Sequence, residues 1–543
     1  MSHPDRTADG SRPGKPGGSP REVHDFVVIG SGFGGSVAAL RLVEKGYGVL
    51  VVEEGRRWRS EDFPRSNWSL RKYLWLPRLG CHGIQRLDWL GDVLVLGGAG
   101  VGGGSLVYAN TLIVPPVEVL AAGWPAGDMA ARLAPHYQTA RRMLGAAPPP
   151  ALGVAEEHLL AFARSRGRAE RFSRPEVGVL LGASPGVQVP DPYFAGRGPA
   201  RATCRLCGGC MVGCRHNAKN TLDQNYLFLA EKLGAAIMAE TRAVSIAPDG
   251  TGGYWVDVRP SLGRGARASE RLHARNVILA AGALGTVELL LGCRTAGTLP
   301  NLSPALGRFA RTNSEVICGA RSRHGRVDHS EGLAIASDLE ADGETHVQVV
   351  RYPGGSDVMG LLGTLAVDGG GTVPRWLRWL GRCLRHPLDW LRNLWPFGWA
   401  RKTVVLLAMQ SRDNAFTLVR GRRWLGRNLR SRRAPGSPPI PTYLPVANQA
   451  AAYLAERMGG FALNAVNEVL LGVPLTAHVL GGARMATSPE LGVVDGAGRV
   501  FGHPGLWVVD GAAIPVNLGA NPSLTITAVA ELAMAQIPPK GAG

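Results

Sequence analysis

Nowhere in the chain do about 18 uncharged apolar residues follow one another, so a helix that crosses a bilayer is not expected. Any membrane contact would then be peripheral. Residues 1–20 also lack the apolar core of an export signal; they are polar, rich in Gly, Pro and Ser, and read as a disordered tail. A cytoplasmic location follows as the expectation. Cysteine is scarce and uneven, with four of the eight packed into residues 204–214. That spacing excludes the spread-out disulfide framework of a small secreted domain and favours a reducing compartment with a metal or redox use. Acid is short against base, 42 residues to 60, for a net charge of +18. The arginines are scattered and no nucleic-acid module is visible, so nucleic acid is not an expected partner. A surface drawn to anionic lipid headgroups suits the same charge.

What the chain has in abundance is glycine, 74 residues, placed at points where backbone must approach something closely. At 543 residues it is long enough for two domains and for burial of a large cofactor. From Asp25 it reads DFVVIGSGFGGSVAALRLVEKGYGVLVVEEG. Residues 26–29 form a buried apolar strand by pattern, and 37–43 continue at helical spacing. Between them, Gly30 permits the tight turn, Gly32 lets a pyrophosphate approach the backbone, and Gly35 lets helix pack on strand. A second apolar strand, 49–52, ends in Glu53, at the spacing where an acid binds a ribose hydroxyl. Glu54 follows it in the strand and should point the other way.

The turn by itself does not separate FAD from NAD. Three later stretches bear on that choice: LGGAGVGGGSLVYANT (96–111), with Ser105 placed to hold a phosphate; ARNVILAAGALGT (274–286), a strand entering a small-residue turn; and GLWVVDGAAIPVNLGANPSLTITAVAE (505–531), a strand, an acid-glycine turn and a helix. Together these resemble the glucose-methanol-choline (GMC) flavoprotein oxidoreductases. Within that family GVGGGSLV (100–107), HVLGGARM (478–485) and GANPSLTITAVAE (519–531) are similar to the cholesterol oxidase branch. The resemblance implies FAD held by Gly30, Gly32, Gly35, Glu53, Gly103, Gly104, Ser105, Asp510 and Gly511, with His478 and Asn521 facing the flavin from the substrate side. It also has a departure: Tyr108 stands where many relatives carry asparagine, with Asn110 two places on.

The implied fold is α/β: a doubly wound FAD-binding domain from residues 21–120, 205–300 and 475–543, interleaved with an α+β, sheet-containing substrate-binding domain from 121–204 and 301–474. The implied activity is FAD-dependent oxidation of a hydrophobic secondary alcohol, the 3-hydroxyl of cholesterol or a related sterol first, by hydride transfer to flavin N5. Oxygen or another acceptor would reoxidise the flavin; the alternative is oxidation of long-chain or other lipid alcohols with a non-oxygen acceptor. Such chemistry needs a base for the hydroxyl proton, and imidazole suits it, so His478 is the candidate base. Asn521 can only give and take hydrogen bonds and would fix the hydroxyl. Members of this branch often also migrate a steroid double bond with a glutamate on a strand. Here the matching strand, ETHVQVVRYP (344–353), turns Gln348 inward, and an amide is no base.

Two segments stand apart. In VPRWLRWLGRCLRHPLDWLRNLWPFGWARK (373–402), Trp376, Leu377, Trp379, Leu380, Cys383 and Leu384 share one broad helical side, with Arg375, Arg378, Arg382 and Arg385 opposite. It is either a helix packed on the substrate domain or an interfacial patch at the entrance for a lipid, joined by WSLRKYLWLPRLG (68–80). In CRLCGGCMVGC, Cys204, Cys207, Cys210 and Cys214 follow the C-x2-C-x2-C-x3-C spacing of ferredoxin loops. An iron–sulfur cluster, zinc, a disulfide and plain structural thiols all remain open, and residues 218–235 should form an amphipathic helix behind the run.

Overall fold

Two seven-stranded sheets organise the computed structural model, which describes residues 23–125, 127–262, 269–421 and 426–542. The tail expected at residues 1–20 lies outside the described residues. In the first sheet the strand order is Ala236–Met238, Val49–Val52, Val23–Ile29, Glu270–Leu279, Tyr254–Pro260, Thr241–Pro248, and Leu506–Val508 pairs with Glu270–Leu279. Pairing is parallel from Ala236–Met238 through Glu270–Leu279 and on to Leu506–Val508. Phe26, Val27, Val28 and Ile29 are buried, with a parallel strand on either side and the helix Phe33–Glu44 packed on them. This is the α/β architecture the apolar runs implied.

The first strand turns sharply into the helix Phe33–Glu44. Gly30 sits at φ +100°, and a Cβ there would lie 2.3 Å from the Ala280 carbonyl oxygen. A Cβ at Gly35 would lie 1.9 Å from the Gly30 carbonyl oxygen, so helix and strand meet at backbone contact. Gly32 differs: a Cβ there meets nothing within 4 Å, which leaves open space in front of the helix N-terminus. The helix then packs against Ser523–Ala535, and Arg41 ties the two with paired bonds to Glu531 at 2.7 and 2.8 Å.

The second sheet is antiparallel, in the order Gly363–Leu365, Gly460–Ala465, Val316–Ser322, Thr403–Gln410, Thr345–Val350, Asp338–Glu340, Phe172–Ser173. Its period of two sorts the side chains. Val347, Val349, Val404, Leu406, Ala408 and Val316 pack under the helices Val154–Ser165 and Pro445–Arg457. The alternate positions, including Val350, Leu407 and Met409, form the opposite face, toward Ile335.

The helix expected over 218–235 is shorter than its pattern, running only from Tyr226 to Lys232. Asn225 breaks it at φ −136°, ψ −95° and caps the remainder, its Oδ1 accepting from the Tyr226 N–H at 2.6 Å. Upstream, Lys219 and Asn220 are buried polar residues whose side chains reach other segments, and their backbone makes tertiary bonds too, Asn220 N–H donating to the Gly178 carbonyl and the Lys219 carbonyl accepting from Arg201. The contact at Gly35 supports a prediction. Gly35→Val should cost about 3 kcal/mol by overpacking, read as a fall in Tm; an unchanged Tm would refute the backbone contact.

Candidate active site

One cavity of about 610 Å³ is lined from both sheets. The first contributes Gly30, Ser31, Gly32 and Glu53, and the second glycine loop adds Gly103 and Gly104. Ile317, Val350, Val405 and Leu407 of the second sheet, with Tyr352 and Trp399, make an apolar wall. Asp510, Gly511, His478 and Asn521 also line it. Segments separated by hundreds of residues are thus brought to one space.

Glu53 holds the two glycine loops together. One carboxylate oxygen accepts from the Ser31 N–H at 3.1 Å and the Ser31 hydroxyl at 2.7 Å; the other accepts from Gly55 N–H at 2.7 Å and Gly100 N–H at 3.3 Å. Burial pushes its carboxyl up, against the pull of the hydrogen bonds from Gly55 and Ser31. Glu54 goes elsewhere, to two bonds of 3.0 Å from Arg86. Burial works against its charge, but Arg86, Arg242 and Arg427 hold it well below the usual carboxylate range. Asp510 accepts from the Thr286 hydroxyl at 2.6 Å and the Ala512 N–H at 2.8 Å, and burial pushes its carboxyl up to about 6.

Two expected cofactor residues stand behind the lining. Ser105 is fully buried, donates to the Gly102 carbonyl at 2.7 Å and accepts from the Leu222 N–H at 3.0 Å. Its hydroxyl closes the loop from behind, where the sequence suggested a phosphate ligand. Gly35 is consumed by the strand–helix contact. At the point of departure, Tyr108 lines the cavity and donates to the Asn220 carbonyl at 3.2 Å, whereas Asn110 turns away to the Ile335 carbonyl at 3.3 Å.

His478 and Asn521 are each backed by other side chains. Glu315, buried, bonds the His478 Nδ1 through one carboxylate oxygen and accepts the Ala477 N–H at 2.7 Å through the other. A carboxylate only accepts, so Nδ1 carries the proton and Nε2 offers its lone pair to the cavity. Asn521 Oδ1 accepts from Gln348 Nε2 at 3.0 Å. Gln348, named from the strand pattern, is fully buried and meets Asn521 directly. Glu315 was not legible: it lies 163 residues before His478, in no motif, and only packing brings them together.

The described residues give no support to a metal centre at the cysteine run. Among the described residues no group of three or more His, Cys, Asp or Glu is arranged to hold an ion, and all eight cysteines are free. Cys204, Cys207, Cys210 and Cys214 line a second cavity of only about 30 Å³, room for a water or two rather than a cluster. Burial pushes the Cys204 thiol up to about 11 and Cys210 further. The loop is pinned by its backbone, Gly208 N–H to the Gly332 carbonyl at 2.8 Å and Gly332 N–H to the Leu206 carbonyl at 2.6 Å. Lys219 clamps it from within, donating to the Cys210 carbonyl at 2.7 Å and the Leu106 carbonyl at 3.0 Å. What the run delivers to the main cavity is Met211 on its wall.

Comparison with known proteins agrees with this geometry. The FAD binding domain family matches residues 25–70, and the GMC oxidoreductase family matches residues 198–299 and 409–530. The chain is 43% identical over 533 residues to a cholesterol oxidase of Acinetobacter baumannii, covering 95% of each. It is 46% identical over 531 residues to a cholesterol oxidase of Mycobacterium tuberculosis (strain ATCC 25618 / H37Rv), covering 95% of this chain and 92% of that one. The solved structure of pyridoxine 4-oxidase from Mesorbium loti superposes with a TM-score of 0.61 at 16% identity, over 94% of this chain and 99% of that one, which shows a shared fold. The residues fit FAD: open space at Gly32 faces a helix N-terminus, and Glu53 and the second glycine loop stand on the same cavity.

The pairing behind His478 yields a prediction. Glu315→Gln lets the imidazole take either tautomer, and turnover should fall on the order of 10–100-fold while flavin absorbance is retained. Steady-state kinetics checks this, and an unchanged kcat would show that Glu315 does not set the tautomer.

Proposed function

Because the chain belongs to the GMC oxidoreductase family and is an FAD-dependent alcohol oxidoreductase, we propose that it oxidises the 3-hydroxyl of cholesterol or a related sterol, with oxygen as the acceptor. The observation that carries this reading is a proton acceptor and an amide donor on an otherwise apolar wall. His478 offers Nε2, and Asn521 offers the N–H that Gln348 leaves free. A bulky apolar alcohol would lie along Ile317, Val350, Val405 and Leu407 with its one hydroxyl at this pair.

In this reading Asn521 donates to the alcohol oxygen and sets its distance from His478. His478 takes the hydroxyl proton on Nε2, and the imidazolium so formed is met by the Glu315 carboxylate. FAD, when bound, supplies the two-electron acceptor for the hydrogen on carbon. Apolar walls keep water from the carbon and strengthen the polar contacts inside. Gln348 has no basic atom, so double-bond migration is not assigned to that strand.

We also divide the chain into an FAD-binding domain, 21–120 with 205–300 and 475–543, and a substrate-binding domain, 121–204 with 301–474. In support, the first sheet draws its strands from the former set and the second from the latter.

A sterol substrate resides in membranes, and we propose that residues 376–397 rest on an anionic bilayer surface of the cytoplasm. Among the described residues no helix is long and apolar enough to cross one. In the helix Arg375–Arg385 the apolar side is divided, and one arginine faces inward. Arg375 turns inward, its guanidinium donating to the Val367 and Thr442 carbonyls and to Asn464 Oδ1 at 3.1, 2.6 and 3.1 Å. Trp379 Nε1 donates to Thr364 Oγ1 at 2.7 Å, and Cys383 is buried. Trp376, Leu377, Leu380 and Leu384 are left outward, Leu384 at 74% exposure, continuous with Leu388, Leu391 and Trp395 of the next turn. Trp68 stacks on Phe397 with ring centroids 5.8 Å apart, so the earlier aromatic stretch joins the same surface. Arg378, Arg382, Arg385 and Arg392 border it, which suits anionic headgroups. Leu362, exposed beside this surface, also lines the cavity.

Two measurements test these readings. His478→Ala should keep its yellow colour yet lose most peroxide production with cholesterol; an unaltered rate removes His478 from the chemistry, and product without peroxide removes oxygen as the acceptor. Leu384→Glu combined with Leu388→Glu should keep flavin absorbance but lose severalfold in co-sedimentation with phosphatidylserine vesicles, and equal binding by both proteins would end the membrane reading.

A further inference from the structure

Behind Asn521 runs a chain of side chains that the reaction as derived does not use. Asp338 and Gln348 stand on adjacent antiparallel strands, and the register Leu339 with Val347 and Glu340 with His346 continues to set Asp338 opposite Gln348. Gln348 Nε2 donates to Asp338 Oδ1 at 3.0 Å and to Asn521 Oδ1 at 3.0 Å. His346, on the same sheet face as Gln348, bonds Asp338 Oδ2 through Nδ1 at 2.7 Å and is partly exposed. A continuous path of hydrogen bonds therefore runs from solvent to the cavity wall.

The sense of each bond in this path is forced. A carboxylate has no proton to give, so the Gln348 amide must present nitrogen, not oxygen, to Asp338. Its second N–H then reaches Asn521, which must answer with Oδ1. The opposite orientation would set the Gln348 oxygen against the Asp338 oxygen. The arrangement is kept at a cost: Gln348 Oε1 is buried with no hydrogen-bond partner. With its oxygen engaged, Asn521 turns Nδ2 to the cavity it lines, and among the described residues no acceptor takes that N–H.

We propose that Asp338 and Gln348 are positioning residues that lock the Asn521 amide with its N–H toward the substrate hydroxyl, so that the site always offers one donor, Asn521, and one acceptor, His478. This rests on the reading of Asn521 as a substrate-facing group. Without the lock the amide is free to flip, and Oδ1 would compete with His478 for the hydroxyl proton.

A double-mutant cycle tests it on the flavin-loaded enzyme with cholesterol as substrate. Asn521→Ala alone should lower kcat; if it does not, the reading of Asn521 fails and the lock with it. Given that loss, Gln348→Leu should lower kcat about tenfold, with flavin content retained, and should cost nothing further in the Asn521→Ala background. An equal loss in both backgrounds would mean that Gln348 acts through the fold and would overturn the proposal while leaving Asn521 in place. Asp338→Asn, which keeps the shape but can present either amide atom, runs the same cycle should the leucine variant fail to fold. It should show the same dependence on Asn521, and additivity there overturns the proposal equally.

Discussion

A buried carboxylate can accept a hydrogen bond and cannot give one, and the polarity of this site depends on that asymmetry. Histidine and asparagine are both ambiguous, since either can turn a donor or an acceptor toward a ligand. Glu315 removes the ambiguity from His478 by direct contact, and Asp338 removes it from Asn521 through Gln348. Glu53 does the same service at the cofactor end, where its two oxygens gather N–H groups from both glycine loops. On the proposed reading, an alcohol entering such a site would meet one donor and one acceptor, and its hydroxyl would be held in only one sense.

The scaffold makes this possible by setting two kinds of sheet on one cavity. The parallel part of the first sheet ends in glycine turns that bring backbone close enough to hold a phosphate-bearing group, with Gly30 and Gly35 already at mutual contact. The antiparallel second sheet gives one face to its helices and keeps the other for the cavity wall, through the two-residue alternation of its strands. Gln348 follows that alternation, and Ile317 reaches the cavity from a strand two places along the sheet. Leu362 is both exposed and part of the cavity lining, and exposed leucines and tryptophans also lie beyond residue 375.

Legibility followed the range of the forces involved. The turn at Gly30, Gly32 and Gly35 is written locally because tight backbone approach tolerates only glycine, and the strand 345–350 declared Gln348 through its period. The cysteine run shows the opposite case: its ferredoxin spacing is real, but backbone bonds to Gly332 and the Lys219 clamp close the loop to a space for a water or two. Spacing along a chain does not fix how far apart thiols stand. The tryptophan-rich helix, for which a packed and an interfacial placement both stood open, shows a similar limit. Arg375 found three acceptors inside the fold, while Arg382 and Arg385 stay exposed.

By itself, then, the sequence determined the dinucleotide-type turn, the α/β class and the alternation that turned Gln348 inward, and it singled out His478 and Asn521 as candidates, because each depends on residues close together in the chain. Only the tertiary structure decided that Glu315 backs His478, that Asp338 reaches Asn521 through Gln348, that the Ser105 hydroxyl bonds within its own loop and to Leu222, and that the cysteine loop closes on a space for a water or two. Those outcomes depend on pairs 160 or more residues apart in the first two cases, as for Glu315 with His478 and Gln348 with Asn521 at separations of 163 and 173 residues. Hydrogen-bond sense is set by whichever partner packing supplies, and no local pattern records it.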